Sequence, residues 1–85
     1  MTWTDEARDI IDDLVQELPL PVRDGVRDAT QFRAEALAES AGKVRLETAV
    51  RAFIESTPVD LRERLKHTLS YKGIDPEEYE EAFCS

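Results

Sequence analysis

Eighty-five residues with a formal charge of −8 and one cysteine leave room for one domain and no internal disulfide. No apolar run nears the ~20 residues that cross a bilayer, and MTWTDEARD lacks the basic and apolar blocks of a secretory leader, so a cytoplasmic protein without membrane contact is expected. The charge sits at the ends: residues 1–20 and 74–85 each carry −5, whereas 21–51 and 52–73 each carry +1, which disfavours a free nucleic acid as partner.

Thr2 and Thr4 are both able to cap a helix, and Asp5 and Glu6 put negative charge where first-turn N–H groups are unpaired. Ala7, Ile10, Ile11, Leu14, Val15 and Leu18 then fall three or four apart, which predicts an amphipathic helix ending at Pro19. Pro19 and Pro21 break that helix and suit the first turn of the next. Val22, Val26, Ala29, Phe32, Ala36 and Leu37 carry a second, longer helix, with Gly42 as the residue that stops it. The rest of the chain is expected to pack on this long helix as shorter ones.

Val44 and Leu46 suggest a short extended bridge, after which Leu46, Ala49, Val50, Phe53 and Ile54 resume helical spacing. Thr57-Pro58-Val59-Asp60 stops that third helix and starts a fourth, with Thr57 as the capping hydroxyl. Leu61, Leu65, Thr68 and Leu69 mark the fourth helix's buried side and Gly73 its end. Asp75 and Pro76 open a short fifth helix, Ile74 packing on Tyr79. No alternation of period two is sustained and no repeat is evident, so the expected fold is all-α: a single small helical bundle of four helices plus a short C-terminal fifth, without a sheet.

Catalytic chemistry lacks its usual residues. His67 has no Cys or His partner at metal-ligand spacing. Cys84 has no neighbouring base to lower its pKa. Gly25, Gly42 and Gly73 lie too far apart for a phosphate loop. The carboxylates Asp9, Asp12, Asp13 and Glu17 read as the solvated face of the first helix. No metal and no cofactor is expected, and the chain is not expected to be an enzyme on its own.

Two features go beyond a plain helical scaffold. Trp3, the sole tryptophan, either folds back on the core or anchors a partner. Arg23 and Arg27 stand at the start of the second helix, where the dipole disfavours cations. They form either a lattice with Asp24 and Asp28 or a docking patch for an anionic partner. Trp3, Arg23 and Arg27 are therefore the candidate partner-binding residues.

Trp3-Thr4-Asp5-Glu6-Ala7, Pro19-x-x-Val22-Arg23-x-x-Val26-Arg27, Glu35-x-x-Ala38-x-x-x-Gly42, Val44-x-Leu46 and Val50 together resemble the small C-terminal domain of the light-independent protochlorophyllide reductase B subunit. The resemblance covers about residues 3–54, leaving about 58–85 as a helical extension. In that reductase a nitrogenase-like body holds the cluster and pigment, and this domain is an appended helical piece. The resemblance implies a non-enzymatic accessory module in chlorophyll biosynthesis, associated with an oxidoreductase, whose partner is a larger tetrapyrrole or nitrogenase-like subunit. A homodimer is open. Two alternatives remain: a tetrapyrrole or other small-ligand carrier, and a nucleic-acid binder using Arg23, Arg27, Arg33, Arg45 and Arg51 on one face.

Overall fold

A computed structural model describes residues 2–84. The chain runs β1 (Thr2–Trp3), α1 (Asp5–Gln16), α2 (Leu20–Leu37), β2 (Lys43–Val44), α3 (Leu46–Ser56), α4 (Val59–Tyr71), a 3-10 turn (Pro76–Tyr79) and α5 (Glu80–Cys84). Among the described residues the architecture is mainly all-α, with five α-helices and one tiny sheet. In that sheet, β1 and β2 pair in parallel, Thr2 opposite Lys43 and Trp3 opposite Val44. Paired strands correct the expectation of no sheet. Strands of two residues are too short to show any alternation, so the pattern that betrays a strand in a sequence cannot develop.

Thr4 caps α1 as its spacing suggests: its Oγ1 accepts from the Ala7 N–H at 3.1 Å. Its own N–H donates to the Val44 carbonyl at 3.0 Å, so one residue both starts the helix and extends the strand pairing. Thr57 takes a different part from the one expected. Its hydroxyl donates backwards to the Phe53 carbonyl at 2.7 Å, closing α3, and α4 begins at Val59 with Pro58 at the N-cap position and no side-chain cap. Asp75 caps the 3-10 turn, accepting from the Glu77 N–H at 3.0 Å.

The hub of the fold is α3, not α2. Ala49, Val50, Ala52, Phe53 and Ile54 are all buried, and α3 packs on α2, α1 and α5. A helix apolar on nearly every side can be satisfied only at the centre. The core stripe of α2 also differs from the expected one. Val26, Thr30 and Ala34 are buried, followed by Ala38 at the helix end, with Val22 packed against the same core. Ala29, Phe32, Ala36 and Leu37 face outward. Both stripes have helical spacing, and the small Thr30 and Ala34 win the inner face because they let α2 approach α3 closely. The helix ends at Leu37, short of Gly42, which takes positive φ (71°) at the end of the 38–42 turn.

A repeat hidden in the sequence emerges from the packing. The first unit is β1–α1–α2 and the second β2–α3–α4. Ile11, Leu14, Val15, Leu18 and Val26 are buried, and so are the residues 39 positions later: Val50, Phe53, Ile54, Thr57 and Leu65. Exposure repeats too, with Leu20 at 74% against Val59 at 76%, and Phe32 at 80% against Tyr71 at 90%. Identity survives at few positions, notably Pro19/Pro58 and Arg23/Arg62, which is why the repeat does not show as sequence.

Candidate functional site

The two repeated arginines explain each other. Arg23 donates from Nε to the Leu18 carbonyl at 2.7 Å and from Nη2 to the Gln16 carbonyl at 2.8 Å. Arg62 donates from Nε to the Thr57 carbonyl at 3.1 Å and from Nη2 to the Glu55 carbonyl at 3.2 Å. The last carbonyls of a helix are unpaired and carry the negative end of its dipole. Each arginine, sited at the start of one helix, therefore caps the C-terminus of the helix before it. The charge that looked misplaced on α2 serves α1.

Arg27 has a separate setting. Its Nη1 donates to Asp12 Oδ1 at 2.9 Å, a half-exposed pair joining α2 to α1; Asp24 and Asp28 are not its partners among the described residues. Around this pair lies a cleft of about 250 Å³ lined by Trp3, Arg8, Ile11, Asp12, Arg27 and Gln31. Trp3 is half-buried against the core, and its indole N–H donates to Glu35 Oε2 at 3.2 Å. Pairing of β1 with β2 sets the indole across the α1–α2 junction. Buried Ile11 adds an apolar wall, and exposed Arg8, Arg27 and Gln31 form a polar rim.

The structure thus brings Trp3 and Arg27 to one recess and commits Arg23 to the backbone outside it. Arg8, Asp12 and Gln31 join the recess, and Glu35 holds its indole, although sequence did not single them out as site residues. Glu35 had a signal, since it opens Glu35-x-x-Ala38; the others lie on a polar helix face that resembles any other. Such a recess can hold an aromatic or aliphatic group on the indole and an acceptor on the guanidinium.

The remaining arginines are dispersed. Arg33 and Arg51 both donate to Glu55, at 3.0 and 3.2 Å, and its carboxylate is only 8% exposed. Along the outer face of α2 runs an open groove of about 640 Å³ lined by residues that include Ala29, Phe32, Ala36 and Leu37. His67 and Cys84 are exposed. Among the described residues no group of three His, Cys, Asp or Glu side chains could hold a metal ion, and no helix is long and apolar enough to cross a membrane.

A family model described as "Protein of unknown function (DUF2621)" matches residues 1–83. No curated protein and no solved structure matches the chain. Since the match runs through both helical units and the C-terminal segment packed on the second, the chain belongs to the DUF2621 family.

Proposed function

We propose that this protein is a non-enzymatic helical accessory module that docks on a larger protein through the Trp3 cleft. From the resemblance of residues 3–54 to the reductase B-subunit domain, the partner class is a nitrogenase-like tetrapyrrole enzyme, and the setting is the cytoplasm. One observation carries the reading: Trp3 and Arg27, from two separated pieces of the resembling motif, line one open recess, and Glu35, from a third, holds the indole there. A half-buried indole beside a reachable guanidinium is the composition that anchors protein interfaces.

Trp3 is the sole tryptophan, so its emission reports on the cleft directly. Titration with a purified light-independent protochlorophyllide reductase core is expected to shift Trp3 emission saturably, and Arg27→Glu is expected to weaken the complex while leaving helicity unchanged. Emission that stays flat across the titration refutes the reading.

The second reading, a tetrapyrrole or other small-ligand carrier, draws on the apolar groove along α2. A pigment absorption shift on mixing, lost in Phe32→Ser, would establish it in place of docking.

A further inference from the structure

We infer that the Trp3 cleft receives a short acidic helix of a partner protein, one bearing a carboxylate and an aromatic ring four residues apart. This rests on the docking reading above and names the occupant. The chain supplies the template, because the equivalent face of its second unit is already covered by its own C-terminal segment.

That segment, from Asp75 to Cys84, carries Asp75, Glu77, Glu78, Glu80 and Glu81 and no base. It lies on α3 and α4 with Ala82 buried. The Phe83 ring sits 5.3 Å from Lys66 Nζ, and the Phe83 carbonyl accepts from Arg62 Nη1 at 3.3 Å. Arg51 lines a recess with residues 77–82, Tyr79 among them, and Glu47 stands one turn before Arg51 on the same face of α3. The receiving side chains are thus Glu47, Arg51, Arg62 and Lys66. Counting back 39 positions gives Arg8, Asp12, Arg23 and Arg27. Three of these four wall the Trp3 cleft, which stands open. Arg23, like Arg62, caps the preceding helix.

The differences between the faces state what the occupant must carry. Arg27 stands where Lys66 does, so an aromatic ring at the Phe83 position again meets a cation. Arg8 replaces Glu47, so the Tyr79 position calls for a carboxylate in place of a phenol. Asp12 replaces Arg51 and is spent holding Arg27. Carboxylate at i and aromatic at i+4 lie on one helical face, and the carboxylate answers Arg8, which lines the cleft without an ion pair among the described residues, whereas Arg27 is already paired with Asp12.

The probe is a peptide of residues 75–84 carrying Tyr79→Glu and Cys84→Ser, titrated into the full chain to millimolar concentration. Trp3 emission and backbone amide chemical shifts are read together. The expected result is saturable binding with shifts confined to β1, α1 and α2. Arg27→Glu or Arg8→Glu in the protein, or Phe83→Ala in the peptide, should each weaken it at least about tenfold, a loss of about 1.4 kcal/mol. Shifts confined to α3 and α4 would mean the peptide merely displaces the native segment, and would overturn the inference. So would an absence of shifts, or equal binding by the Phe83→Ala peptide. A dimer in sedimentation that disappears on removal of residues 76–85 would identify the occupant as a second copy's tail and overturn the partner assignment. If the peptide fails while the reductase core still shifts Trp3 emission, docking stands with another occupant. If both fail, the docking reading falls as well.

Discussion

Replacing Arg23 by methionine tests the capping role that the fold assigns to it. Methionine keeps an unbranched apolar stem and removes the guanidinium fork, leaving the Leu18 and Gln16 carbonyls without their donor. A hydrogen bond to a charged group contributes about 1.5–3 kcal/mol, and a cation at a helix C-terminus adds about 0.3–1. Arg23 is only half-buried, and water replaces part of what is lost, so Arg23→Met should destabilise by about 2 kcal/mol. For a chain of this size that corresponds to a fall in Tm of roughly 10 °C. Thermal and urea unfolding at low and high salt both measure it. Most of the loss should persist in high salt, because half-buried groups are screened less than a surface ion pair. Arg62→Met should lose more, since Arg62 also holds the Phe83 carbonyl. A fall in Tm under about 2 °C for Arg23→Met would refute the capping argument. The result bears on function too: an Arg23 substitution confounds docking with unfolding, and Arg27 does not.

Thr30 is fully buried and its Oγ1 has no hydrogen-bond partner, so Thr30→Val should stabilise by about 1 kcal/mol in urea unfolding. Val26→Ser should destabilise by about 2–3 kcal/mol because Val26 faces the core, while Phe32→Ser should stay within about 0.5 kcal/mol; a Phe32→Ser loss as large as that of Val26→Ser would restore the apolar stripe that sequence spacing favoured for α2, which runs through both. Burial, then the carboxylates of Glu47 and Glu78, push the Tyr79 phenol above the ordinary tyrosine range. The folded state therefore holds that proton more tightly than the unfolded one. Tyr79 contributes stability below the ordinary tyrosine pKa of about 10, and this is lost as pH rises through the higher folded value. In a Tyr71→Phe background, a 295 nm titration of the remaining phenol at or below pH 10 would contradict this.

What the sequence made legible were the features set by short-range chemistry. Pro19, Pro58 and Pro76 mark helix starts, Thr4 and Asp75 cap them, and α1 and α3 have a single apolar assignment each. What it concealed depended on which of two equal patterns wins in three dimensions. In α2 both stripes repeat at helical spacing, and only contact with α3 selects the one through Val26, Thr30 and Ala34. The same holds for the site. Trp3 and Arg27 stood out by type and position, but Arg8, Asp12 and Gln31 become distinctive only when β1 brings the indole over the α1–α2 junction.

The repeat shows where the two units have been allowed to diverge. Positions that build the fold keep their character across 39 residues: Ile11 and Val50, Leu14 and Phe53, and the arginines that cap α1 and α3. Two charged positions on the outer face of the first helix of each pair do not. Arg8 answers to Glu47 and Asp12 to Arg51, so each charge is inverted between units. The inversion has a cause in the second unit, where Arg51 borders an acidic segment that must be held. In the first unit no segment of the described chain makes that demand, yet Arg8 and Arg27 are kept within reach of solvent beside an indole that Glu35 fixes in place. A helical pair with nothing to bind could fill this recess with a larger side chain at Gln31 and gain burial. That it stays open, walled by an indole, the Arg27–Asp12 pair and Arg8, is the physical ground for treating it as the place where a partner completes the first unit as α5 completes the second.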